Sequence, residues 1–510
     1  MRIRSPHSRL FATSLTAIAV LAATTSCAGS SGGSASSGKS LAVSIAAGPA
    51  GLDPVHLTSD QTSYIWSSLY DTLLYLDNQG KVQPNAASSW TYTDDARTLT
   101  LKLRKGMTFS NGHAVNATAV VDTLNLIRTT PGNNQQALAA VSKAAAPDAL
   151  TIVLHLSHPD PNLLNSLSTM AGVIGDPATL TKGSTATDPV GSGPYTLDKA
   201  TTVAGTTYVL KRRADYWNAK AYPYQTFTAR VLTPTASINA LRSGEVQASI
   251  QGMGASAFKA PTYTTKLIPA SSVGTLVIGD RKGGVVPALG NLKVRQAINM
   301  AFDRPGMVKA LLQGAGAATD EVFNPQGPLY VPSLAQKYTH DIAKAKSLMA
   351  EAGYPHGFTL KMPSFYYMAN VQPTIGQALS DIGIKVDWVT VPMSGTPSAI
   401  LSKKYGMFFY FNSVDTAPAE ININLSKGGL LNPFDSTDPA LTPLLDKVYS
   451  ETDQSKLDAV YQQIGTFMAD NAWDAPLFQV NVNWVLAKGV TFLGTGATQF
   501  NSVRQFGVAG

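Results

Sequence analysis

Histidine, cysteine and serine–lysine arrangements are where a chain can hold a metal or a nucleophile, and in this sequence they are sparse. The seven histidines are His7, His56, His113, His155, His158, His340 and His356; none sits in a His-Glu-x-x-His pattern, which sets two imidazoles on one helix face for zinc. His155 and His158 lie on the alternating run Ile152-Val-Leu-His-Leu-Ser-His. Their spacing sends them to opposite faces of a strand, so a shared metal is not expected there. Ser36 and Lys39 match a Ser-x-x-Lys pair, but the Gly/Ser-rich stretch around them cannot hold a nucleophile in fixed geometry. Outside residues 28–40 there is no Gly-x-Ser-x-Gly elbow and no Gly-x-x-x-x-Gly-Lys-Ser/Thr phosphate loop. Gly191-Ser-Gly-Pro-Tyr195 lacks the third glycine of a dinucleotide fingerprint. These patterns predict no catalytic residue, no metal and no cofactor, and the chain is not expected to be an enzyme.

The scaffold that would position any other site is large. At 510 residues the chain has length for about three units or two large lobes. Its 44% hydrophobic and 14% charged residues exclude a disordered, collagenous or coiled-coil protein. The formal net charge is +7, and Arg2, Arg4 and Arg9 supply three of those charges within the first 26 residues, which hold no acid. A small excess without a basic run gives no reason to expect a nucleic-acid partner.

Residues 1–26 read as a secretory signal, with a cationic start and an apolar stretch, Leu10 to Ala23, too short for an ordinary spanning helix. Cys27 is the single cysteine of the chain, and Ala28 to Lys39 follow it as a Gly/Ser tether. The run Thr24-Thr25-Ser26-Cys27 resembles the bacterial lipoprotein signal, whose cysteine is diacylated after cleavage, although Thr24 stands where that signal prefers leucine. The resemblance implies an extracytoplasmic protein moored to the cell membrane through Cys27. No later run approaches the ~20 apolar residues of a spanning helix.

From Leu41 onward both periodicities occur, which predicts an α/β fold. Thr98 to Arg104 alternates as a half-buried strand, and Val120, Val121, Leu124 and Ile127 fall at helical spacing. Asp341 caps a helix that stops at Gly353, and Asp303-Arg304-Pro305 breaks one helix and starts the next. Leu457, Val460, Tyr461, Ile464, Phe467 and Met468 share a helix face. A helix ending at Gly383 leads into a strand with Ile384, Val386 and Trp388 on one side. Trp66, Tyr70, Trp90, Trp217, Tyr410 and Trp484 read as core rather than site.

Several stretches, taken together and in order, resemble the family 5 extracellular solute-binding proteins, the oligopeptide, dipeptide and nickel-binding components of ABC importers. They are Gly51-Leu-Asp-Pro54, Leu69-Tyr-Asp-Thr-Leu-Leu-Tyr75, Pro84-Asn-Ala-Ala-Ser-Ser-Trp90 and Leu99 to Gly112 (LTLKLRKGMTFSNG). Gly191 to Tyr195, Arg213-Ala-Asp-Tyr-Trp217, Leu241-Arg-Ser-Gly-Glu245 and Val294 to Arg304 follow. Leu99 to Gly112 is the most specific, because an alternating strand, then Leu-Arg-x-Gly-x-x-Phe-Ser-Asp/Asn-Gly, then a helix, is the family signature.

The resemblance implies a two-lobe fold of the type II periplasmic-binding-protein kind, with an extra subdomain in the first lobe and a hinge between lobes. It places residues 41–270 and 478–510 in the first lobe and 271–477 in the second, after the 1–26 leader and the 27–40 tether. Thr275 to Gly279 and Phe478 to Val485 are the expected hinge strands. In peptide-binding members a Gly-Trp-x-x-Asp-Tyr-x-x-Pro-like segment pairs its backbone with the peptide, and its Asp holds the α-ammonium. The matching run is Phe411, Asn412, Ser413, Val414 and Asp415, leading to Pro418, so Asp415 is the expected anchor. Phe411-Asn412 in place of Gly-Trp and Thr416 in place of the aromatic depart from that pattern. The expected partners are an oligopeptide or other small polar ligand, ABC permease and ATPase subunits, and the membrane through the lipid anchor; a monomer is expected. The alternatives are a receptor of the same fold for a sugar, opine or nickel chelate, a non-transport peptide-signal sensor, or a secreted hydrolase.

Overall fold

The computed structural model describes residues 40–132, 134–451, 454–498 and 500–509. The leader, Cys27 and the tether up to Lys39 lie outside the described residues. In chain order the strands around the site are β1 (Ser40–Ile45), β2 (Tyr195–Leu197), β3 (Thr207–Arg212), β4 (Thr226–Val231), β5 (Ala248–Gln251), β6 (Tyr263–Ile278) and β7 (Gly316–Ala318). Next come β8 (Phe358–Ser364) and β9 (Ile384–Thr390), a parallel pair of their own, and then β10 (Met407–Ser413) and β11 (Ala475–Ala487). A nine-stranded mixed sheet runs in the order β10-β6-β11-β5-β1-β4-β3-β2, with β7 also on β11. β10 is thus an edge strand.

β6 and β11 pair antiparallel along most of their length and carry the chain between two hydrophobic cores. Ile268, Trp484 and Leu486 pack with Val43, Leu210 and Phe227 in one core. Leu276 to Ile278, Ala475, Leu477 and Phe478 pack with Val294, Ile298, Ile375 and Phe408 in the other. On its second edge β11 is bonded by β5 over Asn483–Leu486 and then by β7 over Phe478–Val480. The β6–β11 register shifts between Ile268 and Ser272. There Ala270 takes φ of 48°, the left-handed conformation that crowds a Cβ, and its N–H donates to Asn481 Oδ1 at 2.9 Å. Thr275 to Gly279, expected as a hinge strand, begins beyond this irregularity; Phe478 to Val485 lies opposite it.

The mixed α/β, two-lobe architecture expected from the sequence is the one observed. A four-stranded antiparallel sheet, in the order Ala87–Thr93, Thr98–Leu103, Thr151–Leu156 and Val141–Asp148, packs onto the first core through Leu99, Leu101 and Leu103. The helix Ala117–Thr129 starts where Asn116 Oδ1 accepts from Ala119 N at 2.9 Å, and it buries Val120, Val121, Leu124 and Ile127. In the second core Asp341 caps Ile342–Glu351 by accepting from Lys344 N at 2.8 Å. Asp303 caps Arg304–Leu312 by accepting from Gly306 N at 3.0 Å. Gly383, at φ of 87°, ends the turn between the helix Gln372–Asp381 and β9. Among the described residues no helix is long and apolar enough to cross a membrane.

Candidate ligand site

The site is built from the end of β10. Its run Met407-Phe-Phe-Tyr-Phe is apolar because most of it packs into the second core, and polar residues begin at Asn412. β10 pairs antiparallel with β6, from Met407 opposite Ile278 to Ser413 opposite Ser272. Val414 N donates to Ser271 O at 3.5 Å, which makes 414 and 271 a hydrogen-bonded pair. Such pairs alternate along an antiparallel ladder, so Asn412 and Tyr410 also turn their main chain to β6, while Phe409, Phe411 and Ser413 turn theirs outward. Tyr367 donates its hydroxyl to Phe409 O at 3.3 Å, as that alternation requires. Among the described residues the outward main-chain groups of Phe411 and Ser413 meet no partner. An edge of this kind can accept an extended segment by strand addition.

The five residues marked by the sequence divide by burial. Phe411 is half-buried against Phe409, Tyr367 and Phe478, with ring centroids 5.0, 5.9 and 6.3 Å away. Ser413 is exposed. Asn412 and Val414 are fully buried, and Asn412 Nδ2 donates to Asn424 Oδ1 at 3.2 Å. Asp415 is half-buried; its Oδ1 accepts from Thr416 N at 2.8 Å, its N–H donates to Glu420 Oε1 at 3.3 Å, and its carbonyl accepts from Asn324 Nδ2 at 3.2 Å. Phe411, Ser413 and Asp415 are therefore the members of the run that are not fully buried. Gly33 to Ser40 spells a literal Gly-x-x-x-x-Gly-Lys-Ser. Ser40 opens β1, so no helix follows that string to supply the N-terminus a phosphate cradle needs. His155 and His158 are exposed, and among the described residues no group of three His, Cys, Asp or Glu could hold a metal.

Sequence reasoning missed the support around this segment. Glu420, on the helix Ala417–Asn424, is buried, and its Oε1 also accepts from Asn324 N at 2.8 Å. Burial, reinforced by Asp415 and Glu321 against the opposing hydrogen bonds from Asn324 N and Asp415 N, pushes its carboxyl well above the usual range. Thr416 Oγ1 donates to Asn165 Oδ1 at 3.2 Å, and Asn165 belongs to Leu163–Leu167, a helix of the first core. Asn324 Nδ2 donates to Ala497 O at 3.2 Å and Gln326 Nε2 to Thr495 O at 2.8 Å. These bonds fasten the segment around Asp415 to the opposite core. Tyr366 and Tyr367 stand just past the end of β8, and Tyr366 is 60% exposed. Their sequence signal was a Tyr-Tyr pair directly after an alternating strand.

Glu321 adds a pH dependence to stability. Burial, with a smaller contribution from Asp320, pushes its carboxyl up to about 8 from an ordinary 4.5, against the opposing hydrogen bond from Val331 N–H. The folded state holds this proton more tightly than the unfolded chain, so the stability it contributes is complete below about pH 4.5 and lost as pH rises through about 8. The loss amounts to up to about 5 kcal/mol. Denaturant unfolding of Glu321→Gln is expected to show a flatter fall between pH 6 and 8.5 than the parent; an identical slope would count against a buried proton here.

Comparison with known proteins bears on the family and the fold. Residues 81–429 match the family model for bacterial extracellular solute-binding proteins, family 5 middle. The glutathione-binding protein GsiB of Escherichia coli O1:K1 / APEC is 29% identical over 407 residues, covering 76% of this chain and 77% of that protein. The binding protein DppA of Helicobacter pylori, solved with the peptide STSA, superposes with a TM-score of 0.77 at 21% identity, over 92% of this chain and 98% of that one. AgaA of A. tumefaciens R10, solved with agropinic acid, superposes with a TM-score of 0.76 at 23% identity, over 92% and 99%. With two thirds of its length matched, and with the fold those two structures share, this chain belongs to the family 5 bacterial extracellular solute-binding proteins.

Proposed function

We propose that the chain is the receptor of an ABC importer that captures oligopeptides in the cleft between its lobes and delivers them to a membrane permease driven by its ATPase. The observation that carries this reading is the outward, unpartnered main chain of Phe411 and Ser413 beside the Asp415 carboxylate. A main-chain edge binds peptides without reading their side chains, and a carboxylate next to it suits the α-ammonium. The first lobe is assigned to 41–270 and 478–510 and the second to 271–477, with the hinge at the register shift around Ala270 and the facing part of β11. Mooring through a lipid on Cys27, a monomeric state and the absence of catalysis complete the assignment. The glutathione and STSA in the names of two related proteins agree with a peptide ligand.

The test is thermal unfolding of protein stripped of carried-over ligand by unfolding and refolding, against free peptides, sugars, an opine and a nickel chelate. A ligand at a hundred times its Kd adds about 2.7 kcal/mol to stability and raises the midpoint. Peptides are expected to raise it. Stabilisation by a sugar, opine or chelate alone would contradict the assignment.

A further inference from the structure

The free edge of β10 is short, and both of its ends are closed by this chain. At one end Phe409, the next outward-facing residue before Phe411, has its carbonyl taken by the Tyr367 hydroxyl at 3.3 Å. The Tyr367 ring lies across the same stretch, with centroids 6.4 Å from Tyr410 and 5.9 Å from Phe411. The exposed Tyr366 packs edge-on against it at 5.2 Å. At the other end the chain leaves the strand: Asp415 N turns to Glu420, the helix Ala417–Asn424 begins, and Thr416 reaches Asn165 on the opposite core. Between these stops two residues, Phe411 and Ser413, offer outward N–H and C=O groups.

Outward groups on a strand recur every second residue, about 7 Å apart. A partner strand engages two of them with one residue opposite each and one residue between. We propose that Tyr367 is a length-determining residue, closing the β10 edge so that the site takes peptides of two or three residues and rejects longer ones. The proposal rests on the peptide reading given above and adds the ligand's size class to it. A fourth residue, continuing past Phe411, would meet the Tyr367 ring and find the Phe409 carbonyl occupied. Its own main-chain groups would lose water without gaining a partner, which penalises length rather than peptide character. Tyr367 positions no chemistry on the shorter peptides, so its removal changes the preference between lengths.

The experiment is a calorimetric titration of the stripped full-length protein and of Tyr367→Ala and Tyr367→Phe with unblocked di-, tri-, tetra- and penta-alanine. The parent is expected to bind two or three residues best, with at least tenfold weaker binding at four and five. Tyr367→Ala is expected to bring all lengths within about threefold. Tyr367→Phe, which keeps the ring and the packing but frees the Phe409 carbonyl, is expected to lie between them, and it serves as the test should the alanine variant fail to fold. A parent that binds penta-alanine as tightly as tri-alanine would overturn the length assignment alone, as would variants that keep the parent's length profile. Binding of no oligoalanine at all would overturn the peptide reading and the length assignment with it.

Discussion

Replacing Asp415 by alanine is expected to weaken binding of a free tripeptide by roughly 100-fold, or about 3 kcal/mol, while leaving the thermal midpoint of the unliganded protein within a few degrees of the parent. The two effects separate because Asp415 is joined to Glu420 and Asn324 through its main chain. Asp415 N to Glu420 Oε1 and Asn324 Nδ2 to Asp415 O both survive truncation of the side chain. The bond from Thr416 N to Oδ1 does not, and one local hydrogen bond is worth about 1 kcal/mol. An α-ammonium enclosed without its carboxylate, by contrast, carries the cost of a desolvated and unpaired charge. Calorimetric titration of parent and variant, with an unfolding scan on each, measures both; unchanged affinity would remove Asp415 from the site.

Asp474→Ala is expected to cost about 3–5 kcal/mol of stability, because it breaks a buried ion pair from one side. Asp474 Oδ1 accepts from Arg281 Nη2 at 2.7 Å and from Ile278 N at 2.9 Å, and both charged side chains are almost fully buried. Arg281 also donates to the Trp473 carbonyl at 2.8 Å and lies 4.5 Å from the Trp473 ring centroid. Burial pushes the Asp474 carboxyl up and the Arg281 guanidinium down, and the opposite charge of each counters the shift of the other. Without the carboxylate a guanidinium and a strand N–H are left in the core. The pair joins the end of β6 to the residue before β11, so the loss falls on the two strands that link the lobes. Denaturant unfolding checks it; a loss below 1 kcal/mol would mean that the pair contributes little beyond packing.

What the sequence made legible was local. The strand Thr98–Leu103, the caps at Asp341 and Asp303, the stop at Gly383 and the alternation of β9 each depend on residues within a few positions of one another, and the structure has them as expected. The ordered motifs carried the fold, since they mark turns and packing faces of one architecture. The geometry of the site was not legible in the same way. That β10 is an edge follows from β6 lying on one side of it and, among the described residues, no strand on the other, a pairing between segments more than a hundred residues apart. Tyr367 reaches Phe409 across 42 residues, and Thr416 reaches Asn165 across 251. Glu420 stands in a helix first turn, and only its burial and its two main-chain partners, which the sequence does not display, set it apart from an ordinary acid there. The aromatic residues weighed as core split: Trp66, Tyr70 and Trp484 are buried, whereas Tyr410 is half-buried beside the open edge.

The most direct test of the central claim is one pair of titrations on stripped protein, with free and with N-acetylated tri-alanine. The two ligands share the main chain that the β10 edge would pair with and differ in the α-ammonium that Asp415 would hold. A receptor that engages peptides by both features binds the free peptide at least 30-fold more tightly than the acetylated one. Equal affinity for the two would contradict the ammonium anchor, and binding of neither would contradict a peptide receptor of this design.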